Sequence, residues 1–220
     1  MATLKLGALA DQLKGRAGNT VFVRTASGIS VRDHVIPHDP RTPKQVDART
    51  RFLEASRAWN ELLPDQAKQW RAYAETLGIR EPGTGAVKAP RAQNVFIGLA
   101  SKLLQVDPSA TIPVLPPASR FFGDAVSLTI STLPGQVLFT ANRANTPGVV
   151  TELLLQPVRS GASLPALKAY RTQALVAFTS GSLSFPVDVP AGWYAAAYRF
   201  ADTATGQDSG LAELGLIRVS

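Results

Sequence analysis

The chain reads as an α+β protein in two domains, a basic half built from a β-hairpin and helices and a second half built as a β-sandwich. Three observations predict this. The hydrophobic period changes from about 3.6 residues to about 2 partway along. The net charge is confined to the first half: residues 1–105 hold 16 Lys and Arg against 9 Asp and Glu, whereas residues 106–220 hold 7 of each. Between the halves lies QVDPSATIPVLPPAS (105–119), whose Pro108, Pro113, Pro116 and Pro117 fix φ and remove backbone donors, predicting a stiff, extended connector. The expected division is a basic anchoring domain over 1–105, a linker over 106–119 and a β-sandwich over 120–220.

Taken in order, Leu4, Leu6, Leu9 and Leu13 have helical spacing but few caps, and Lys5, Asp11 and Lys14 interrupt any signal-peptide core. Residues 20–32 predict a hairpin. Val21 to Arg24 and Ile29 to Arg32 alternate around TASG, and Gly28 is free to take positive φ. The preceding glycines make a tight turn, with Asn19 tolerant of positive φ. Thr42, Pro43 and Gln45 then start a helix in the manner of a capping box. In it Val46, Phe52, Leu53, Ser56, Trp59 and Leu63 share an arc of about 140°, the expected core face, with Lys44 and Arg51 opposite. Pro64 and Asp65 restart the chain into a second helix carrying Ala67, Trp70, Ala74 and Leu77 and capped by Gly78, so that Trp59 and Trp70 meet near the closed end of a helical hairpin. EPGTG (81–85) reads as a loop. A third helix, about Arg91 to Gln105, buries Val95, Phe96, Leu99 and Leu103.

Downstream, alternation predicts seven strands: Ala125–Thr132, Gln136–Ala141, Val149–Val158, Gln173–Thr179, Ser182–Val187, Tyr194–Ala201 and Leu214–Val219. Seven short strands in such a span match an immunoglobulin-like or fibronectin-type sandwich. DVPAGWY (188–194) strengthens the match, since it places Tyr194 at the start of a strand as in a tyrosine corner.

Several chemistries are disfavoured. With no cysteine there are no disulfides, thiolate metal sites or cysteine nucleophiles. GRAGNT (15–20) lacks the spacing and the lysine of a P-loop, and a strand, not a helix, follows it. His34 and His38 with Asp33 and Asp39 suit a metal by ligand type, but the segment contains two prolines and reads as a loop. No nucleophile elbow appears. The expectation is a non-enzyme without cofactor, metal or small-molecule substrate. A composition of 45% hydrophobic and 18% charged residues is that of a globular chain, and no run is long enough to span a bilayer.

The basic half invites an anionic partner, an acidic protein surface, or simply solvent. Arg16, Arg24, Arg32, Arg41, Lys44 and Arg51 with Phe22 would serve nucleic-acid binding, yet acids such as Asp33, Asp39, Asp47 and Glu54 interleave with them. Arg49 falls inside the apolar arc of the first helix, where it snorkels or pairs with a carboxylate.

The order KGRAGN, VFVR, GISVR, DPRTPKQ, then Arg, Phe and the Ser-x-Ala-Trp of the first helix, over about residues 14 to 75, resembles a group of phage- and prophage-encoded proteins. In these a glycine-rich hairpin and an R-x-x-F…W helix precede an immunoglobulin-like domain. The group carries asparagine before the proline where this chain has Asp39. The resemblance implies a virion structural protein, such as a capsid decoration, adaptor or tail component, made in the host cytoplasm. Its partners would be other virion proteins and further copies of itself. In that reading Arg16, Asn19, Phe22, Arg24 and Arg32 make the contact, and Lys44 and Arg51 form an electrostatic rim. The alternative is a nucleic-acid-binding protein using the same basic half.

Overall fold

A computed structural model describes residues 2–4, 14–25, 28–80 and 85–220. The fold is α+β, with helices and antiparallel sheets in two compact units, Met1–Pro43 and Lys44–Ser220. The division therefore falls at the foot of the first helix, whereas the proline run 106–119 lies inside the second unit.

The first unit is more than a hairpin. Strands β1 (Ala2–Leu4), β2 (Gly15–Ala17), β3 (Thr20–Thr25) and β4 (Gly28–Asp33) form an antiparallel sheet in the order β1-β4-β3-β2. The β2–β3 turn is two residues long because Ala17 pairs with Thr20. Gly18 takes φ 58°, and Asn19 is not among the positive-φ residues, so the glycine, not the expected asparagine, supplies the left-handed conformation. Glycine at the first central position suits the twist of a tight hairpin. The His34 amide closes the end of the sheet on the Asn19 carbonyl at 2.7 Å. Of the leucine pattern, Leu4 lies in a strand, and Leu6, Leu9 and Leu13 lie outside the described residues.

The second unit begins with α1 (Pro43–Asn60) and α2 (Pro64–Leu77). The α2 start is fixed by Pro64 at its first turn and by the Gln66 Oε1, which accepts the Leu63 amide at 2.8 Å. A two-residue pair, β5 (Ile79–Arg80) with β6 (Val87–Lys88), precedes α3 (Ala92–Val106); the expected loop at 81–85 lies between them, and its residues 81–84 are outside the described set. The expected core face of α1 is corrected. Val46, Phe52, Leu53 and Leu63 are 44, 59, 49 and 63% exposed. Of the expected face Trp59 does pack into the helical cluster, and its companions there are Ala55, Ala58 and Leu62. An apolarity count ranks alanine below leucine and phenylalanine and so misses this face. Trp59 and Trp70 meet through α3, each packing on Phe96, with ring centroids 5.5 and 5.0 Å from it.

Seven strands follow: β7 (Leu128–Leu133), β8 (Gln136–Ala141), β9 (Val149–Val158), β10 (Arg171–Val176), β11 (Ser184–Asp188), β12 (Gly192–Asp202) and β13 (Ala212–Val219). They form two antiparallel sheets, ordered β10-β9-β12-β13 and β11-β8-β7. Val137 and Phe139 of β8, Leu153 and Leu155 of β9, and Ala196 and Phe200 of β12 belong to one apolar cluster between them. On the alternate positions of the larger sheet, Leu154, Ala195 and Ala197 form a second cluster with Tyr170. Strands β9 and β12 are thus covered on both faces, which is why VVTELLL and WYAAAY read as nearly continuous apolar runs. The Tyr194 hydroxyl donates to the Pro190 carbonyl at 2.9 Å, the bond expected from DVPAGWY. Tyr194→Phe is expected to cost about 1 kcal/mol in urea unfolding, the worth of one hydrogen bond to a part-buried carbonyl.

The proline-rich segment lies along the helices. Ile112 packs on the helical cluster, and the Trp70 indole donates to the Val114 carbonyl at 3.0 Å. Prolines keep the segment extended, and its apolar side chains give it a reason to lie down.

Candidate contact surfaces and a buried charge cluster

The cross-strand register distributes the expected contact residues. Arg16 pairs with Val21, which pairs with Arg32, so Arg16, Val21 and Arg32 form a row on one face of the first unit. Phe22 and Arg24 belong to the other face, opposite Val31 and Ile29. There Ile29 is buried and Phe22 half-buried, while Arg24 is exposed. Asn19 sits in the turn. The five residues are therefore not one patch; the basic row is Arg16 and Arg32 around Val21. Arg16 Nε donates to the Gly18 carbonyl at 2.8 Å, which holds its guanidinium over the turn. Among the described residues strand β2 ends the sheet order, and Lys14 precedes it, so a basic edge is presented there.

Lys44 and Arg51 belong to the second unit. They line a cleft of about 290 Å³ with Asp47, Gln105 and Thr172 to Leu175 of β10. Asp47 stands between them on the same helix face, so the rim is of mixed charge. Among the described residues, no group of three or more His, Asp or Glu side chains is placed to hold a metal. No helix among them is long and apolar enough to cross a membrane.

Sequence reasoning missed a buried charge cluster. Glu152, in the middle of β9, is fully buried. Its carboxylate accepts from Lys102 of α3, from Arg199 Nε of β12 and from the Thr172 hydroxyl of β10. Arg199 also reaches Asp208 at 2.6 Å. Two cations thus face two carboxylates, joining α3 to three strands. Burial pushes the Glu152 carboxyl up, but the bond from Arg199, the charge and bond of Lys102 and the Thr172 hydroxyl outweigh it, holding the group below its ordinary 4.5. For Lys102 burial is the larger effect: despite Glu152, and with Arg199 adding repulsion, its ammonium is held below the ordinary 10.5. Both carboxylate oxygens accept from side chains of other elements, so the arrangement suits a clasp between α3 and the sheet. The signal was in the sequence: one glutamate inside VVTELLL and one lysine inside FIGLASKLL.

The clasp has neighbours. Gln207 Nε2 donates to the Tyr73 hydroxyl at 3.0 Å. Gly206 presses on α3 so closely that a Cβ there would lie 2.1 Å from the Leu99 carbonyl oxygen.

Comparison with protein-family models and with curated proteins finds no match for this chain.

Proposed function

We propose that the chain is a non-enzymatic virion structural and assembly protein of a phage, a capsid decoration, adaptor or tail component, docking through its basic N-terminal portion. The observation that carries this reading is the β2 edge, which ends the sheet among the described residues, with Lys14, Arg16 and, two strands over, Arg32. An exposed edge adds a strand to a neighbour's sheet, giving affinity through main-chain bonds, and repeated sites on a capsid or tail multiply weak contacts. Supporting it are the motif order of residues 14 to 75 and the strand orders β11-β8-β7 and β10-β9-β12-β13. These orders, with the Tyr194 bond, fit an immunoglobulin-like sandwich of the fibronectin type, a frequent display and interaction module.

In a two-residue hairpin the closing pair Ala17–Thr20 carries the ladder bonds, which turns the main chain of Arg16 outward. Arg16→Pro removes that donor, whereas Arg16→Ala keeps it and removes the side chain's charge and its bond to Gly18. Light scattering across a salt series, with the 260/280 nm ratio on the same peak, tests the reading. The expected result is a nucleic-acid-free assembly that holds its mass at high salt, loses it in Arg16→Pro and keeps it in Arg16→Ala. Co-purified nucleic acid released steeply by salt would instead favour the second reading, in which the same basic row binds phosphates.

A further inference from the structure

Beside α3 lies an apolar pocket of about 250 Å³ lined by Trp70, Phe96, Leu99, Ile112, Leu115 and Ala118, with further proline, alanine and threonine atoms. Nearby, Phe122 is 88% exposed, the largest exposure among the exposed large hydrophobic side chains. Its position is held on both sides. Phe121 packs into the core cluster between the sheets. Gly123, at φ 105°, places its Cα so close to Phe200 and Ser209 that an added Cβ would lie 3.1 and 3.3 Å from their side chains. The main chain on either side of Phe122 is thus held, while its own ring stands in solvent. Val114 and Leu115, 50 and 49% exposed, extend the apolar surface beside the pocket. An apolar patch of this kind marks an interaction site more often than it decorates a monomer.

We propose that this patch is a self-association surface, in which Phe122 of one copy seats in the apolar pocket of a second copy and the exchange is reciprocal. Phe122 lies only four residues beyond Ala118 in the pocket wall, so knob and pocket are within about 14 Å along the chain. Leu99 lines this pocket and also the adjoining cleft that contains Arg120 and Phe121. Because donor and acceptor share one face, a two-fold axis lets both rings seat at once and closes the assembly at a dimer. Charge is complementary as well. Arg120, exposed, precedes the knob by two residues. Asp202, whose Oδ1 accepts the amide of the pocket-lining Thr205 at 2.8 Å, is the carboxylate that the guanidinium would meet in the proposed dimer.

Area sets the expected strength. Two seated phenylalanines remove about 400 Å² of their own surface. The walls they cover, with Val114 and Leu115, bring the total near the ~1,000 Å² floor for a specific interface. An area at that floor goes with a weak, concentration-dependent dimer.

The patch does not depend on the virion reading, since it uses residues of the second unit alone, and Arg16→Pro leaves it intact. The test is molar mass by light scattering on the full chain over a dilution series reaching hundreds of micromolar. A concentration-dependent dimer is expected for Arg16→Pro, which removes any contribution of the β2 edge. In that background Phe122→Glu is expected to raise the dissociation constant at least tenfold. Ala118→Trp, at an exposed position of the pocket wall, is expected to do the same by filling the acceptor while leaving the knob untouched. Circular dichroism unchanged from wild type confirms that both variants fold. A monomer at every concentration would overturn the proposal. So would a dimer indifferent to both substitutions, and mass growing past the dimer would overturn the reciprocal two-fold exchange.

Discussion

Glu152→Gln is expected to lower the unfolding free energy by about 3 kcal/mol or more, measured by urea unfolding at neutral pH. The loss comes from what remains: Lys102, 8% exposed, and Arg199 keep their charges in a site shaped for a carboxylate. Breaking a buried pair by removing one partner typically costs about 3–5 kcal/mol, far more than the pair itself contributes over an apolar replacement. Lys102→Met in the Glu152→Gln background should therefore recover part of the loss, and a double-mutant cycle reads the coupling. An Ala-like loss below about 1 kcal/mol for Glu152→Gln would show that the cluster is not a clasp.

The pH dependence follows with its sign. The folded Glu152 carboxyl is held below the ordinary 4.5, so its contribution is fully present above that value and is lost as pH falls through the folded value. Acid unfolding of the wild type should be steeper below 4.5 than that of Glu152→Gln. The Lys102 contribution has the same sign of slope in a different, alkaline window. Its folded value lies below the ordinary 10.5, so the unfolded chain binds more protons in the interval, and stability rises with pH there. Lys102→Met should lack that alkaline rise.

Gly206→Val is the second large effect, expected at about 4 kcal/mol, or roughly 10 °C in the melting temperature for a chain of this size. Two causes add. The residue sits at φ 72°, where an L side chain is strained by about 1–2 kcal/mol. Its Cβ would also lie 2.1 Å from the Leu99 carbonyl oxygen and 2.9 Å from the Leu103 amide nitrogen, both backbone atoms of α3 that cannot swing aside. The helix must move off the β12–β13 loop, taking the Tyr73–Gln207 bond and the seat of Lys102 with it. Gly210→Ala, four residues on and with no atom within 4 Å of its added Cβ, is the control and should change stability by less than about 0.5 kcal/mol. Equal losses at the two glycines would mean that close approach to α3 is not what Gly206 provides.

Much of the fold was legible in the residues. Strands β8 and β9 have the bounds that alternation marks, Gln136–Ala141 and Val149–Val158. Tyr194 makes its bond to Pro190, and Gly78 ends α2. These are local matters: a period of two, a turn residue, a side chain bonding four residues upstream. What failed is instructive by its kind. On α1 the residues with the strongest apolar count, Phe52 and Leu53, face outward, and the helix docks through Ala55 and Ala58 beside Trp59. Of the expected contact residues, Arg16 and Arg32 fall on one face of the first sheet and Phe22 and Arg24 on the other, because the β3–β4 register and that of β2, a three-residue strand hidden in GRA, fix which neighbours each receives.

By itself, then, the sequence determined that the chain is α+β, where most strands and helices run, which turns need glycine, and that positive charge gathers before residue 106. Backbone conformation and alternation act between residues a few positions apart, so a linear reading reaches them. Only the tertiary structure decided which helix face is buried, that the proline run lies against Trp70, and that Glu152 meets a lysine 50 positions away and an arginine 47 positions away. A buried charge survives only where partners from distant elements converge on it. Partner choice at that distance is set by packing, which no local period encodes.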